Sequence, residues 1–383
     1  MTIKRKVVLL HHSDELGGAG VSLCNLIEML RDRYQVSVYL PHRDSSLAVY
    51  LGHRDIVPRY LENPVGMVSC YSGGPRVLSR TFARNLWRIG RTRRALKNIL
   101  MSEDPDIVAV NSIVMVWAGR TIRRSGRTAV CFVRETAVDG WVSSLVKRSL
   151  SKWFDGVIYI SDQDRRIFGS EAPVVGIVRD SIRIDEYDIG LTREEACRQL
   201  RLDPGAFNLL FVGGTEQMKG WHVVSAAMLH LNLPDIKIIV AGRVDERATV
   251  ANPRIFYLGV QQDMPKIYRA CDVLVFPSIS PHQARPVFEA GAMGIPVIIS
   301  DFSATADEVV NGLNGLTFRP GDPRDLARAV MALYKSPADR LRYGAENRRL
   351  AIARHGYEQS GAALLNIFTA LHDVRDHGTT EAQ

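Results

Sequence analysis

The feature that most constrains this chain is a repeated alternation. Short apolar runs of strand length are each followed by a loop and then by a segment of helical period. Residues 6–12 form such a run, and Gly17-Gly18-Ala19-Gly20 follows it. Residues 21–33 then place apolar side chains at 23, 26, 27 and 30, the spacing of one helix face. Residues 35–40, 106–110, 129–133 and 156–160 are further strand-length runs in the first half. The second half repeats the scheme at 208–212, 236–241, 255–258, 272–276 and 296–300, with helical patterns starting near Lys219, Asp263, Pro286 and Ser303. Runs that are apolar throughout fit strands buried on both faces, as in a parallel sheet covered by helices. The expected fold is α/β: two Rossmann-like, doubly wound parallel-sheet domains facing across a cleft, with ligands at the strand carboxyl ends. A chain of 383 residues is long enough for two such cores. The boundary is expected within residues 178–187, giving domains 1–182 and 183–383, and the tail from Asp376 is expected to fray.

Charge separates the halves. Residues 1–180 hold 27 Lys and Arg against 17 Asp and Glu, while residues 181–383 hold 22 against 24. A basic half beside a near-neutral one points to an anionic partner for the first domain. From Arg76 to Ser102 there are eight bases and no acid, with Leu78, Phe82, Leu86, Ile89 and Leu96 at helical intervals and Trp87 among the bases. That is a basic amphipathic helix, or two, suited to an anionic membrane surface through residues 76–97, or equally to packing on the sheet with a solvated basic face. No nucleic-acid motif accompanies the charge. The apolar run after the N-terminal Lys4-Arg5-Lys6 stops at His11-His12, too short for a signal sequence, and no segment has membrane-spanning length. Five scattered cysteines fit reduced thiols better than a disulfide framework. A cytoplasmic protein, peripheral on the membrane at most, is expected.

Several segments carry candidate chemistry. Glycines between a strand and a helix, as at Gly17 and Gly18, let backbone amides approach an anion. They also serve as a tight turn. They do not make the dinucleotide fingerprint, because Leu23 stands at its third glycine position, and no Gly-Lys-Ser/Thr follows to make a P-loop. The segment from Phe211 to Gly220 ends a strand and opens a helix, so Lys219 can reach a diphosphate and Thr215 can donate to it. Arg285 and Glu289, four apart, share a helix face, either as an exposed ion pair or with Glu289 turned to the two hydroxyls of a ribose. The triplets Asp104-Pro-Asp106 and Asp162-Gln-Asp164 read as structural, one before a strand and one at a helix start. No metal is expected.

The order of these segments resembles retaining glycosyltransferase family 4, which has the GT-B fold, and the resemblance covers nearly the whole chain. Gly17–Gly20 resembles its first glycine loop. Residues 157–161 are similar to its strand ending in Val-Ser, and residues 211–220 to its phosphate loop. Leu258-Gly259 and residues 264–278 match the segment that borders the nucleobase, and residues 289–297 the end of its Glu-x7-Glu motif. Residues 306–308, 312–315 and 320–323 match its trailing elements. The resemblance implies a nucleotide-diphosphate sugar, UDP- or GDP-linked, held mainly by the second domain through Gly213, Gly214, Thr215, Lys219, Leu258, Arg285, Val287 and Glu289, with Gly17 and Gly18 contributed by the first. Glu289 would take the ribose. Lys219 and the backbone amides of Gly213, Gly214 and Thr215 would neutralise the leaving diphosphate without metal or cofactor. The final helix, about residues 357–373, would cross back to the first domain, which would hold a glycan or lipid-linked acceptor.

The chain departs from the family pattern at several points. The first Glu of the motif falls at Pro281, beside His282, and the phosphate-loop arginine falls at Gly214. Pro286 has no N–H to offer at the donor turn. The His-x-His after the fourth strand reads Val110-Asn111, and the catalytic-region His is replaced within Val133-Arg134-Glu135. Arg134, Glu135 and His282 are therefore the catalytic candidates, with Arg285 as a second diphosphate cation. The expected activity is retaining, metal-independent, hexosyltransferase-like sugar transfer in the synthesis of a cell-surface polysaccharide, lipopolysaccharide or other glycoconjugate. Two alternatives stay open: a nucleotide-sugar-binding scaffold that has lost catalysis, and a nucleotide-sugar epimerase.

Overall fold

The computed structural model describes residues 4–61, 63, 65–68, 79–135, 141–280, 285–302 and 308–380, the last seven as backbone only. The chain divides into two compact units, Met1–Ser181 with Glu358–Gln383, and Ile182–Tyr357.

Unit 1 is built on seven parallel strands: β1 (Lys6–Leu10), β2 (Gln35–Leu40), β3 (Arg59–Tyr60), β4 (Ile107–Val110), β5 (Thr128–Val133), β6 (Gly156–Tyr159) and β7 (Val174–Ile177). They lie in the order β3-β2-β1-β4-β5-β6-β7. Every residue of β4, β5 and β6 is buried, because helices cover both faces of the sheet. Unit 2 holds β8 (Phe207–Val212), β9 (Ile236–Ala241), β10 (Ile255–Gly259), β11 (Val273–Phe276), β12 (Val297–Ser300) and β13 (Gly315–Phe318). Their order is β10-β9-β8-β11-β12-β13, again all parallel. One apolar cluster fills each face of this second sheet: Leu210, Ile239 and Leu274 point to one, Leu209, Ile238 and Val275 to the other.

Ten strands have ranges in the sequence reading; the sheets hold thirteen. β3 is two residues long, β7 is half-buried throughout, and Thr317 in β13 is polar. None of these edge strands is the uniformly apolar run that marks a central one. The helix expected near Ser303 lies outside the described residues.

The last helix, Tyr357–Thr380, packs within unit 1 from Glu358 onward. Phe368 and Leu371 are fully buried, and Tyr34 meets Phe368 edge-on at 5.6 Å. Glycine in the sheet makes room for it, since a Cβ on Gly156 would meet the Leu371 side chain. The basic segment forms one helix, Arg80–Glu103, capped by the Ser79 hydroxyl on the Phe82 amide. Phe82, Leu96, Ile99 and Leu100 face inward, while Leu86 and Trp87 stay exposed.

Candidate functional site

In unit 2 the sheet order reverses between β8 and β11, the adjacent strands from which the chain runs outward in both directions. Such a switch point opens a crevice at the carboxyl ends of the strands. The loop after β8 carries Thr215 and Lys219; the turn after β11 leads into the helix Arg285–Ala292 with Arg285, Val287 and Glu289. The two loops touch. Gly220 sits at φ +86°, in the left-handed region open to glycine, and a Cβ there would fall on the Pro277 carbonyl.

Glu289 is held inside this crevice. Its Oε1 takes the Arg285 Nε at 2.7 Å and its Oε2 takes the Tyr268 hydroxyl at 2.9 Å. Tyr187 turns a further hydroxyl to the same carboxylate. Both phenols are buried, and burial together with the Glu289 charge pushes their pKa values upward, so they remain donors. The Arg285 and Glu289 side chains are only 15% and 12% exposed. This is a desolvated pair and not the solvated i,i+4 bridge whose worth is a few tenths of a kcal/mol. Val287 is 1% exposed and its side chain belongs to the core, so only its backbone can face a ligand. Leu258 is half-buried at the end of β10.

The phosphate-loop expectation is corrected in one respect. The amides of Gly213 and Gly214 both donate to the Ala241 carbonyl, at 2.8 and 2.9 Å, and that of Thr215 donates to the Arg243 carbonyl at 3.0 Å. These three N–H groups stitch the β8 loop to the β9 loop and do not form the anion cradle. Gly214 is at φ +62°, where a Cβ would land on the Arg243 carbonyl. No side chain fits there, so an arginine at this position is excluded by the path of the neighbouring loop. The loop presents Lys219 and the Thr215 hydroxyl instead. Thr215 Oγ1 accepts the Asp245 amide at 2.7 Å, which leaves its own proton to donate. Lys219 is half-buried, and desolvation lowers its pKa, with Glu216 opposing. A desolvated ammonium of this kind is stabilised by an incoming anion.

Unit 1 has its own switch point, between β1 and β4. Here a buried polar cluster gathers around Arg134, and sequence reasoning missed its members His11, His12 and Asp180. His11 and Asn111 follow β1 and β4, both 0% exposed, and the Asn111 amide lies 3.1 Å from the His11 Nδ1. Arg134, after β5, donates from Nε to the Asn111 Oδ1 and from Nη1 to the Asp180 Oδ1, both at 2.6 Å. The His12 ring lies 4.9 Å from that of His11, tilted by 55°. Burial and the Arg134 charge lower both histidines, His12 to about 4. His11 Nε2 and His12 Nδ1 are buried without a hydrogen-bond partner among the described residues. The adjacent His11-His12 pair was the available sequence signal, but it looked like a strand end.

Glu135 is half-buried, and desolvation raises its pKa. Its oxygens accept the Ser112 hydroxyl and, at 3.1 Å, the Ile113 amide. Arg134 and Glu135 thus hold the loops after β4 and β5 in place. Gly17 caps the helix Gly18–Leu30, and a Cβ on Gly17 would meet nothing within 4 Å; the fold itself does not demand glycine there. Pro281 and His282 lie outside the described residues. Asp162 pairs with Arg179, Asp164 takes the Ser161 hydroxyl, and Asp104 pairs with Arg127, so neither acidic triplet faces either switch point.

Comparison with known proteins fits this geometry. The model of glycosyl transferases group 1 matches residues 192–350, and that of glycosyltransferase family 4 matches residues 16–175. The chain belongs to glycosyltransferase family 4. A D-inositol 3-phosphate glycosyltransferase of Pseudarthrobacter chlorophenolicus is 30% identical over 47% of this chain and 47% of its own. The glycogen synthase of Mycobacterium tuberculosis is 25% identical over 71% of this chain and 65% of its own. The chain thus spans about half to two thirds of the length of the curated relatives it matches. Two solved structures share the fold. Anabaena HepE in complex with UDP-glucose aligns with a TM-score of 0.78, at 18% identity, over 95% of this chain and 99% of that one. Sucrose-phosphate synthase of Thermosynechococcus elongatus aligns with a TM-score of 0.77, at 18% identity, over 97% and 100%. The architecture is GT-B.

Proposed function

We propose that this enzyme transfers a sugar, with retention of anomeric configuration and without metal, from a nucleoside-diphosphate sugar to a glycan or lipid-linked acceptor in glycoconjugate or cell-surface polysaccharide synthesis. The observation that carries the donor half is the convergence of Lys219, Thr215, Arg285 and Glu289 at the switch point of the second sheet. Anabaena HepE, crystallised with UDP-glucose, supports a uridine diphosphate donor.

In this reading Glu289 takes the ribose. A carboxylate has roughly four acceptor positions, and Arg285, Tyr268 and Tyr187 already use three. To bind both ribose hydroxyls, one donor has to leave. Arg285 is the one with another anion to go to, the diphosphate. Arg285 and Lys219 then meet the charge that develops on the departing phosphate, in a site where fixed charges act with little reorganisation. His282 is assigned to a hydroxyl of the transferred sugar. The acceptor is assigned to the first unit, whose His11–Asn111–Arg134 cluster lines the other switch point, and the exposed Leu86 and Trp87 of its basic helix are assigned to an anionic membrane surface.

Calorimetric titration of UDP and GDP, without added metal, into wild type, Glu289→Ala and Lys219→Ala tests the donor site. Selective binding of one nucleotide, weakened by each substitution, is the expected result. Equal affinity in all three proteins would overturn the assignment.

A further inference from the structure

A second charged feature of unit 1 lies away from both switch points. The helix Arg80–Glu103 ends just before β4, and the helix Ala118–Arg124 ends just before β5. The groove between their last turns therefore sits at the amino ends of the strands, at the opposite end of the sheet from His11 and Asn111. It has a volume of about 600 Å³ and is lined by Arg93, Lys97, Arg120, Arg124 and Arg127, with Asp104 as its one acid. Asp104 is taken by Arg127. Arg120 lies over the Trp153 ring at 5.4 Å. Arg93, Lys97, Arg120 and Arg124 have no carboxylate partner among the described residues.

Two of these pairs, Arg93 with Lys97 and Arg120 with Arg124, place like charges four residues apart on a helix, a spacing that destabilises it. An anion between the helices would relieve both at once. The remaining lining suits a phosphorylated one. Leu100 gives an apolar floor, and Thr121 adds a hydroxyl. Guanidinium forks bind phosphate oxygens two at a time. The volume falls in the range of small-molecule sites and exceeds what a lone phosphate fills.

We propose that this groove is a binding site for a phosphate-bearing anion, either a free phosphate ester or diphosphate, or the headgroup of an anionic lipid, remote from the transfer chemistry. The proposal does not depend on the donor assignment above. The test uses the full chain carrying Lys219→Ala, so that the donor loop does not take up the probe, with and without Arg93→Ser and Arg124→Ser. Inorganic pyrophosphate is titrated calorimetrically at low ionic strength, and phosphatidylcholine vesicles containing phosphatidylglycerol are used for co-sedimentation. Saturable pyrophosphate binding that falls by roughly tenfold or more in the serine variant, as loss of two charge-assisted contacts requires, supports a soluble ligand. Co-sedimentation lost in that variant, with little pyrophosphate binding, assigns the groove to a lipid headgroup. The serine variant should melt at the same temperature as its parent or higher, since it removes like-charge pairs, and pyrophosphate should raise the melting temperature of the parent alone. Absence of both kinds of binding, or equal binding in both proteins, would overturn the proposal.

Discussion

Acidification should weaken unit 1 through the desolvated histidines His11 and His12. His12 titrates near 6.5 when unfolded and near about 4 in the folded chain, because burial and the Arg134 charge disfavour its cation. Stability rises with pH wherever the unfolded state binds more protons. The contribution of a neutral, desolvated His12 is therefore complete above pH 6.5 and is lost as pH falls from there toward 4. Linkage gives a loss of about 2 kcal/mol by pH 5 and about 3 kcal/mol by pH 4 from His12 alone. His11, lowered in the same direction, adds to it. Glu135 opposes it, since its raised pKa means that a penalty carried at neutral pH is relieved on protonation. The assay is urea unfolding at pH 7 and pH 5, followed by tryptophan fluorescence; four of the five tryptophans, Trp87, Trp117, Trp141 and Trp153, lie in unit 1. Comparison with His12→Gln isolates the His12 share, because Glu135 titrates in both proteins. The pH 7 to pH 5 loss should be about 2 kcal/mol smaller in the variant. Parallel losses in the two proteins would refute the assignment of a desolvated, neutral His12.

Two further predictions concern the β8 loop. Gly214→Ala should cost about 1–3 kcal/mol from the left-handed backbone alone, with more from the clash on the Arg243 carbonyl; a thermal melt and nucleotide titration should show both lower stability and weaker binding. Because the folded-state pKa of Lys219 is depressed by burial, nucleoside-diphosphate binding should take up protons and weaken as pH rises through that pKa, which calorimetry in buffers of different ionisation enthalpy will detect.

The central strands were legible because an all-apolar run bounded by loop residues has few other stable fates. β1, β2, β4, β5 and β6 lie within one or two residues of their sequence ranges, as do β8 to β12. The edge strands β3 and β13 were not, since an edge strand needs no second buried face. The chemistry divides along a similar line. That Lys219 and Glu289 fall in the connections at one sheet end follows from strand order, and strand order follows from alternation. That the Gly213, Gly214 and Thr215 amides are used by Ala241 and Arg243 depends on where the β9 loop runs, which residue spacing does not encode. The engagement of Arg134 by Asn111 and Asp180 joins residues 23 and 46 positions apart, and only the folded sheet brings them together.

The departures at the donor loops compensate one another. The family pattern has an arginine where Gly214 stands and a carboxylate where Pro281 stands. This chain lacks one cation and one anion, so the summed charge of the donor loops is unchanged. Arg285 then returns a cation, but on the turn after β11 and already bound to Glu289 at 2.7 Å. Breaking a desolvated pair by removing one partner leaves a costly lone charge, so Arg285 can leave Glu289 only when both find replacements together. A ribose diphosphate supplies both, hydroxyls for the carboxylate and phosphates for the guanidinium. In the proposed donor site, nucleoside and diphosphate recognition would thereby be coupled in one step. A site that had merely decayed would have no need to keep Tyr187 and Tyr268 buried beneath that carboxylate, where their hydroxyls hold Glu289 in position while its partner changes.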